Sequence, residues 1–161
     1  MIIEINNDNR DIYVTYFEKG NLLDGDKINI DLGNNRNGCL FKPDKGFWGS
    51  PIDAKYGWKE WCEDEKFGNY DFDKPYYWTL SNGKILQIDW DEVRNAQTSN
   101  LSKYIVNNYL DWNKMLEDNI IAVQLMDSCI GHSFINVLES KFNAWDCESI
   151  VVLDKNKIVF V

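Results

Sequence analysis

A carboxylate stands where an apolar run begins. In Asp146-Cys147-Glu148-Ser149-Ile150-Val151-Val152-Leu153-Asp154, Glu148 opens the most strand-like stretch of the chain. The end of a rigid strand holds a side chain in place well enough for catalysis. A fixed carboxylate favours positive charge developing on a bound substrate and can orient a hydroxyl. Position alone, however, reads as an ordinary solvated strand end. Asp146 is two residues away and shares the face if the strand extends that far. A second group lies upstream in Asp44-Lys45-Gly46-Phe47-Trp48-Gly49-Ser50, where Trp48 offers a flat apolar wall and Ser50 a hydroxyl. Trp58 and Trp61 read first as core residues. Cysteines 39, 62, 129 and 147 form no C-x-x-C pair, and the single histidine, His132, is three residues from Cys129. A zinc centre needs tighter clustering, so no metal is expected. The cysteines read as reduced and mostly buried, His132 as structural, and the location as cytoplasmic.

The elements that must position these groups follow from pattern. Asp11 to Phe17 (DIYVTYF) is rich in β-branched and aromatic residues and predicts a strand, and INIDL (28–32) alternates like another. GNNRNG (33–38) is a turn, followed by a short strand at Cys39–Phe41 and the turn KPDKG. Ser50-Pro51-Ile52-Asp53 has the signature of a helix start, with Ser50 capping, and Ala54, Trp58, Trp61 and Cys62 recur on one helical face. YYWTL (76–80), the turn Ser81-Asn82-Gly83 and Ile85 to Trp90 predict a hairpin. Leu101 to Leu116 has helical spacing, as one bent helix or two short ones with Asp111 as a cap. Ile120 to Met126 is a buried strand, Phe134, Val137 and Leu138 a short helix, and Ser149 to Leu153 and Ile158 to Val161 are strands around the turn DKNK. The class is α+β.

The bulk numbers narrow the functions. At 161 residues the chain suits one domain, 1–161, able to bury a core. A net charge of -9 repels phosphate backbones, which argues against non-specific nucleic-acid binding and anionic membranes. The first ten residues carry no signal-peptide pattern, and no apolar run reaches the roughly 20 residues that span a bilayer.

The Glu148 stretch resembles the catalytic segment of the ADP-ribosyltransferase superfamily, in the pattern Glu-x-Ile/Val-Val-aromatic/aliphatic-Asp, a few turn residues, then Ile or Val. The Phe47-Trp48-Gly49-Ser50 stretch is similar to the family's aromatic strand, and Ile12-Tyr13-Val14-Thr15-Tyr16 to its first core strand, with Val14 where the family has His. The resemblance, closest to small bacterial or phage mono-ADP-ribosyltransferase-like domains, implies a split β-sheet core with short flanking helices and NAD as substrate. By carry-over, Glu148 is the catalytic group that reaches the nicotinamide ribose through an oxocarbenium-like state. Trp48 and Tyr56 (or Trp58) wall the nicotinamide, Thr15 floors the cleft and Ser50 lies beside it. Arg36 and Lys45 are the cations nearest in sequence to the proposed mouth. The implied activity is NAD-dependent transfer to a macromolecular target, with a protein as the expected partner. Val14 in place of His opens one alternative, a transferase-fold binding protein without catalysis; the net charge of -9 opens another, an acidic inhibitor of a basic host factor.

Overall fold

The computed structural model describes residues 1–21, 28–33, 41–95, 97–107, 109–131, 142 and 145–161. Arg36, Cys39, His132, most of the 33–38 turn and the helix expected around Phe134 to Leu138 lie outside them. The strands are β1 (Ile2–Ile5), β2 (Tyr13–Thr15), β3 (Phe47–Pro51), β4 (Tyr76–Leu80), β5 (Gly83–Ile88), β6 (Ile105–Val106), β7 (Tyr109–Leu110), β8 (Ile120–Leu125), β9 (Ser149–Val152) and β10 (Ile158–Phe160). The helices are α1 (Trp58–Glu65), α2 (Trp90–Arg94) and α3 (Trp112–Glu117). Eight strands form one mixed sheet in the order β1-β5-β8-β9-β3-β2-β4-β10, and β6 and β7 form a small separate hairpin. The β5–β8 pair is parallel and the remaining pairs of the large sheet are antiparallel. The chain is α+β.

Strand β3 is the pivot. Phe47, Trp48 and Gly49 face Val152, Val151 and Ile150 of β9, whereas Ser50 and Pro51 face Val14 and Tyr13 of β2. The strand changes partner at a glycine for a steric reason. A Cβ on Gly49 would stand 2.7 Å from Cζ2 of Trp78 and 2.9 Å from the Val14 carbonyl oxygen. Only a residue without a side chain lets β2 and the buried Trp78 ring approach this closely.

Strand alternation sends side chains to two cores. One face carries Leu86, Val123 and Val151, with Trp48 packed against them, under Leu101, Tyr104, Trp112 and Met115 of the β5–β8 crossover. The other face carries Ile85, Ala122, Ile150, Val152, Phe47, Tyr13 and Trp78. Both faces of β8 and β9 are buried, which explains their unbroken apolar runs.

Several expectations need correction. Ser50 and Pro51 end a strand, and the helix starts eight residues after Ser50, at Trp58, with Gly57 as N-cap and the Glu60 carboxylate accepting from the Gly57 N–H at 3.0 Å. The cap-like sequence therefore precedes a turn. YYWTL and the next strand are not a hairpin: β4 joins β2 and β10, whereas β5 joins β1 and β8. Gly83 has no positive φ. It is needed in the strand instead, because its Cβ would meet Ile121 side-chain atoms at 2.7–2.9 Å. INIDL makes only an isolated bridge, Asp31 to Lys45. The Leu101–Leu116 stretch is a 3-10 turn, the β6–β7 hairpin and then α3, with the Asp111 side chain accepting from the Lys114 N–H as its cap.

Candidate functional site

A cavity of about 500 Å³ opens between β2, β3 and the segment entering β9. That size suits a small molecule. Val14 and Thr15 of β2 contribute, followed by Tyr16. Trp48 of β3, Trp58 at the start of α1, Tyr70 and Trp145 supply aromatic walls, and Lys42, Glu18 and Asp146 supply charge. Cys147 and Ser149 complete the β9 side.

Each wall is fixed by its own contacts. The Thr15 hydroxyl donates to the Trp48 carbonyl at 2.6 Å and accepts from Nε1 of Trp78 at 2.9 Å, so it locks β2 to β3 and supports the indole beneath. Trp145 donates through Nε1 to the Phe41 carbonyl at 2.8 Å, and its ring meets Trp48 edge-on, with centroids 4.8 Å apart at 73°. Nζ of Lys42 lies 5.2 Å from the Trp48 ring centroid, a cation–π contact. Desolvation pulls the Lys42 ammonium below its ordinary pKa against the opposing charge of Asp146, while desolvation raises the Asp146 carboxyl against Lys42. The Cys147 thiol is pushed up to about 12, first by burial and then by Asp146. It is a neutral thiol near pH 7 and a poor nucleophile.

Of the residues singled out by sequence, the structure brings Thr15 and Trp48 into this cavity, with Trp58. Ser50 and Tyr56 lie outside its lining. The buried Ser50 hydroxyl donates to the Glu148 carbonyl at 2.9 Å and accepts from the Trp58 N–H at 3.0 Å. It thus satisfies a free N–H at the start of α1, at long range instead of as the adjacent cap, and ties the helix to the mouth of β9. The Tyr56 carbonyl accepts from the Glu148 N–H at 3.0 Å, and its phenol donates to Asp64. Lys45 pairs through its backbone with Asp31.

Glu148 is buried, yet its carboxyl does not line the cavity. Trp48 stands opposite Val151, so the residues of β9 that share its face are the odd-numbered ones, and Glu148 points the other way with Ile150 and Val152. There its carboxyl is raised from the ordinary value by desolvation and then by Asp127 and Asp53, partly offset by a hydrogen bond with Gln124 and by Lys55. The buried Tyr13 hydroxyl, which has no hydrogen-bond partner among the described residues, is on this same side of the sheet. Sequence reasoning assigned no site role to Lys42, Tyr70 or Trp145. It also overlooked a spacing. The family pattern has four residues between its two acids, and five separate Glu148 from Asp154. Counted back from Asp154, the position of the family's Glu falls on Ser149, which lines the cavity.

Comparison with protein-family models, with curated proteins and with solved structures finds no match for this chain. Among the described residues no cluster of His, Cys, Asp and Glu could hold a metal ion, and no helix is long and apolar enough to cross a membrane. The lining offers aromatic faces, the phenols of Tyr16 and Tyr70, the Asn21 amide, the Lys42 ammonium, two rim carboxylates and a protonated thiol.

Proposed function

We propose that this chain is a small-molecule-binding domain with an ADP-ribosyltransferase-like arrangement, and that it binds its ligand without transferring any part of it. The arrangement is supported by the adjacency of β9, β3 and β2, the three strands that carry the resembling motifs. Absence of transfer rests on one observation: the cavity walled by Trp48 has Val14, Cys147 and Ser149 around it, and the Glu148 carboxyl lies on the opposite face of the sheet. A carboxylate there cannot stabilise an oxocarbenium centre formed beside Trp48, because charge stabilisation of this kind needs direct aim at the developing charge.

The competing reading is a mono-ADP-ribosyltransferase that uses NAD to modify a protein target, and the same strand adjacency favours it. Incubation with NAD separates the two. Binding without transfer predicts no nicotinamide release above background, with or without cell extract. Nicotinamide release that disappears in Glu148→Gln would overturn the proposal in favour of the transferase.

A further inference from the structure

We propose that the Trp48 cavity is an aromatic cage for a methylated ammonium group. This rests on the reading of the cavity as a small-molecule site and names its ligand class.

Two ring pairs meet there nearly at right angles: Trp48 with Trp145, and Trp58 with Tyr70, whose planes are 90° apart with centroids separated by 5.5 Å. Such corners expose the electron-rich face of one ring beside the edge of another, which is the geometry that holds a cation. The protein already places a cation in this position, because the Lys42 ammonium lies over the Trp48 face. A lysine ammonium is strongly hydrated and gives up much on burial. Methyl groups replace its N–H donors with apolar surface and weaken its hydration, so a methylated cation suits an apolar cage better and displaces Lys42 towards solvent.

The polar groups of the cavity point to the same class. The Thr15 hydroxyl is engaged by the Trp48 carbonyl and the Trp78 indole, and the Ser149 hydroxyl donates to the Cys147 carbonyl at 3.0 Å. Neither of these two hydroxyls is left to donate to an anionic ligand. A quaternary ammonium needs no donor. Glu18 and Asp146, both exposed, add negative charge to the lining, and the chain carries -9 overall, which draws in cations and repels phosphates.

The group could belong to a free small molecule or to a trimethylated lysine side chain. Tryptophan fluorescence and calorimetric titrations of the whole chain with choline, trimethyl-lysine within a short peptide, the neutral choline isostere 3,3-dimethylbutanol, and AMP decide the matter. The expected result is saturable binding of choline or the peptide, at least about tenfold tighter than the neutral isostere. Trp48→Leu should weaken it by about tenfold or more, Trp48→Phe should retain part of it, and Lys42→Met should tighten it by removing the internal competitor. Choline tighter than the peptide assigns a free ligand; the reverse assigns a modified side chain. Equal binding of the neutral isostere, or looser binding in Lys42→Met, overturns the cage. Tighter binding of AMP than of either cation also overturns it but leaves the binding domain standing. Silence from every one of these compounds also overturns the cage.

Discussion

Replacing Ser50 by alanine isolates what that hydroxyl does. It is buried and makes two hydrogen bonds, one to the Glu148 carbonyl and one from the Trp58 N–H. Alanine fits the space but strands one acceptor and one donor. Leaving a buried polar group unsatisfied costs about 1–3 kcal/mol. Trp58 is only half-buried and recovers part of its loss from water. The sum for Ser50→Ala is about 2–4 kcal/mol, which for a domain of this size lowers Tm by roughly 5–12 °C. Urea unfolding followed by tryptophan fluorescence should show a lower midpoint with an unchanged slope. Ligand affinity of the fraction that remains folded should be unchanged, because Ser50 does not line the cavity. A loss below about 0.5 kcal/mol would mean that the hydroxyl does not hold α1 to β9. Normal stability with lost binding would move Ser50 into the ligand site and refute the structural assignment.

Further expectations follow from the same contacts. Tyr56→Phe removes only the phenol bonded to Asp64, because the carbonyl binds β9, so its unfolding midpoint should match wild type. Thr15→Val strands the buried Trp78 Nε1–H and should cost about 1–3 kcal/mol in the same unfolding measurement. Burial raises the Glu148 carboxyl, with Asp127 and Asp53 adding to it. Its contribution is thus complete below its unfolded pKa and is lost as pH rises through the folded value; Glu148→Gln should match wild type in acid and become the more stable protein towards neutral pH. Glu92 has the opposite sign. Burial raises it, but hydrogen bonds from the N-terminal ammonium, Asn100 and the Leu101 N–H outweigh this and hold it at about 2. That stability is present above the unfolded value and fades as pH falls towards 2, so denaturant titrations between pH 5 and about 2 should show a steeper decline for wild type than for Glu92→Gln.

The fold was legible where one local cause decides the structure. β8, β9 and β10 follow from apolar runs, and α3 begins where Asp111 predicts. It was illegible where distant residues decide. Ser50-Pro51 has helix-start chemistry, but its partners are Val14, Tyr13, Glu148 and Trp58 across the sheet, and these hold it extended. Ser81-Asn82-Gly83 has hairpin chemistry, but the close approach of Ile121 is what requires Gly83. β1 was missed because its side chains are mostly half-exposed at the sheet edge, opposite β5, and their pattern carries little amphipathic signal.

The candidate site turned on parity, which a motif does not state. Side chains alternate along a strand, so moving a motif by one residue carries its functional group to the other side of the sheet. The apolar run after Glu148 identifies a strand, and the register sets it beside the Trp48 strand, yet the letters do not state which face the carboxyl takes. Trp48 opposite Val151 fixes that face, through hydrogen-bonded register and not through similarity. Ser149, on the Trp48 side, lines the cavity. The apolar run therefore locates the strand, and the register of the neighbouring strand, which no single stretch of sequence contains, decides the side.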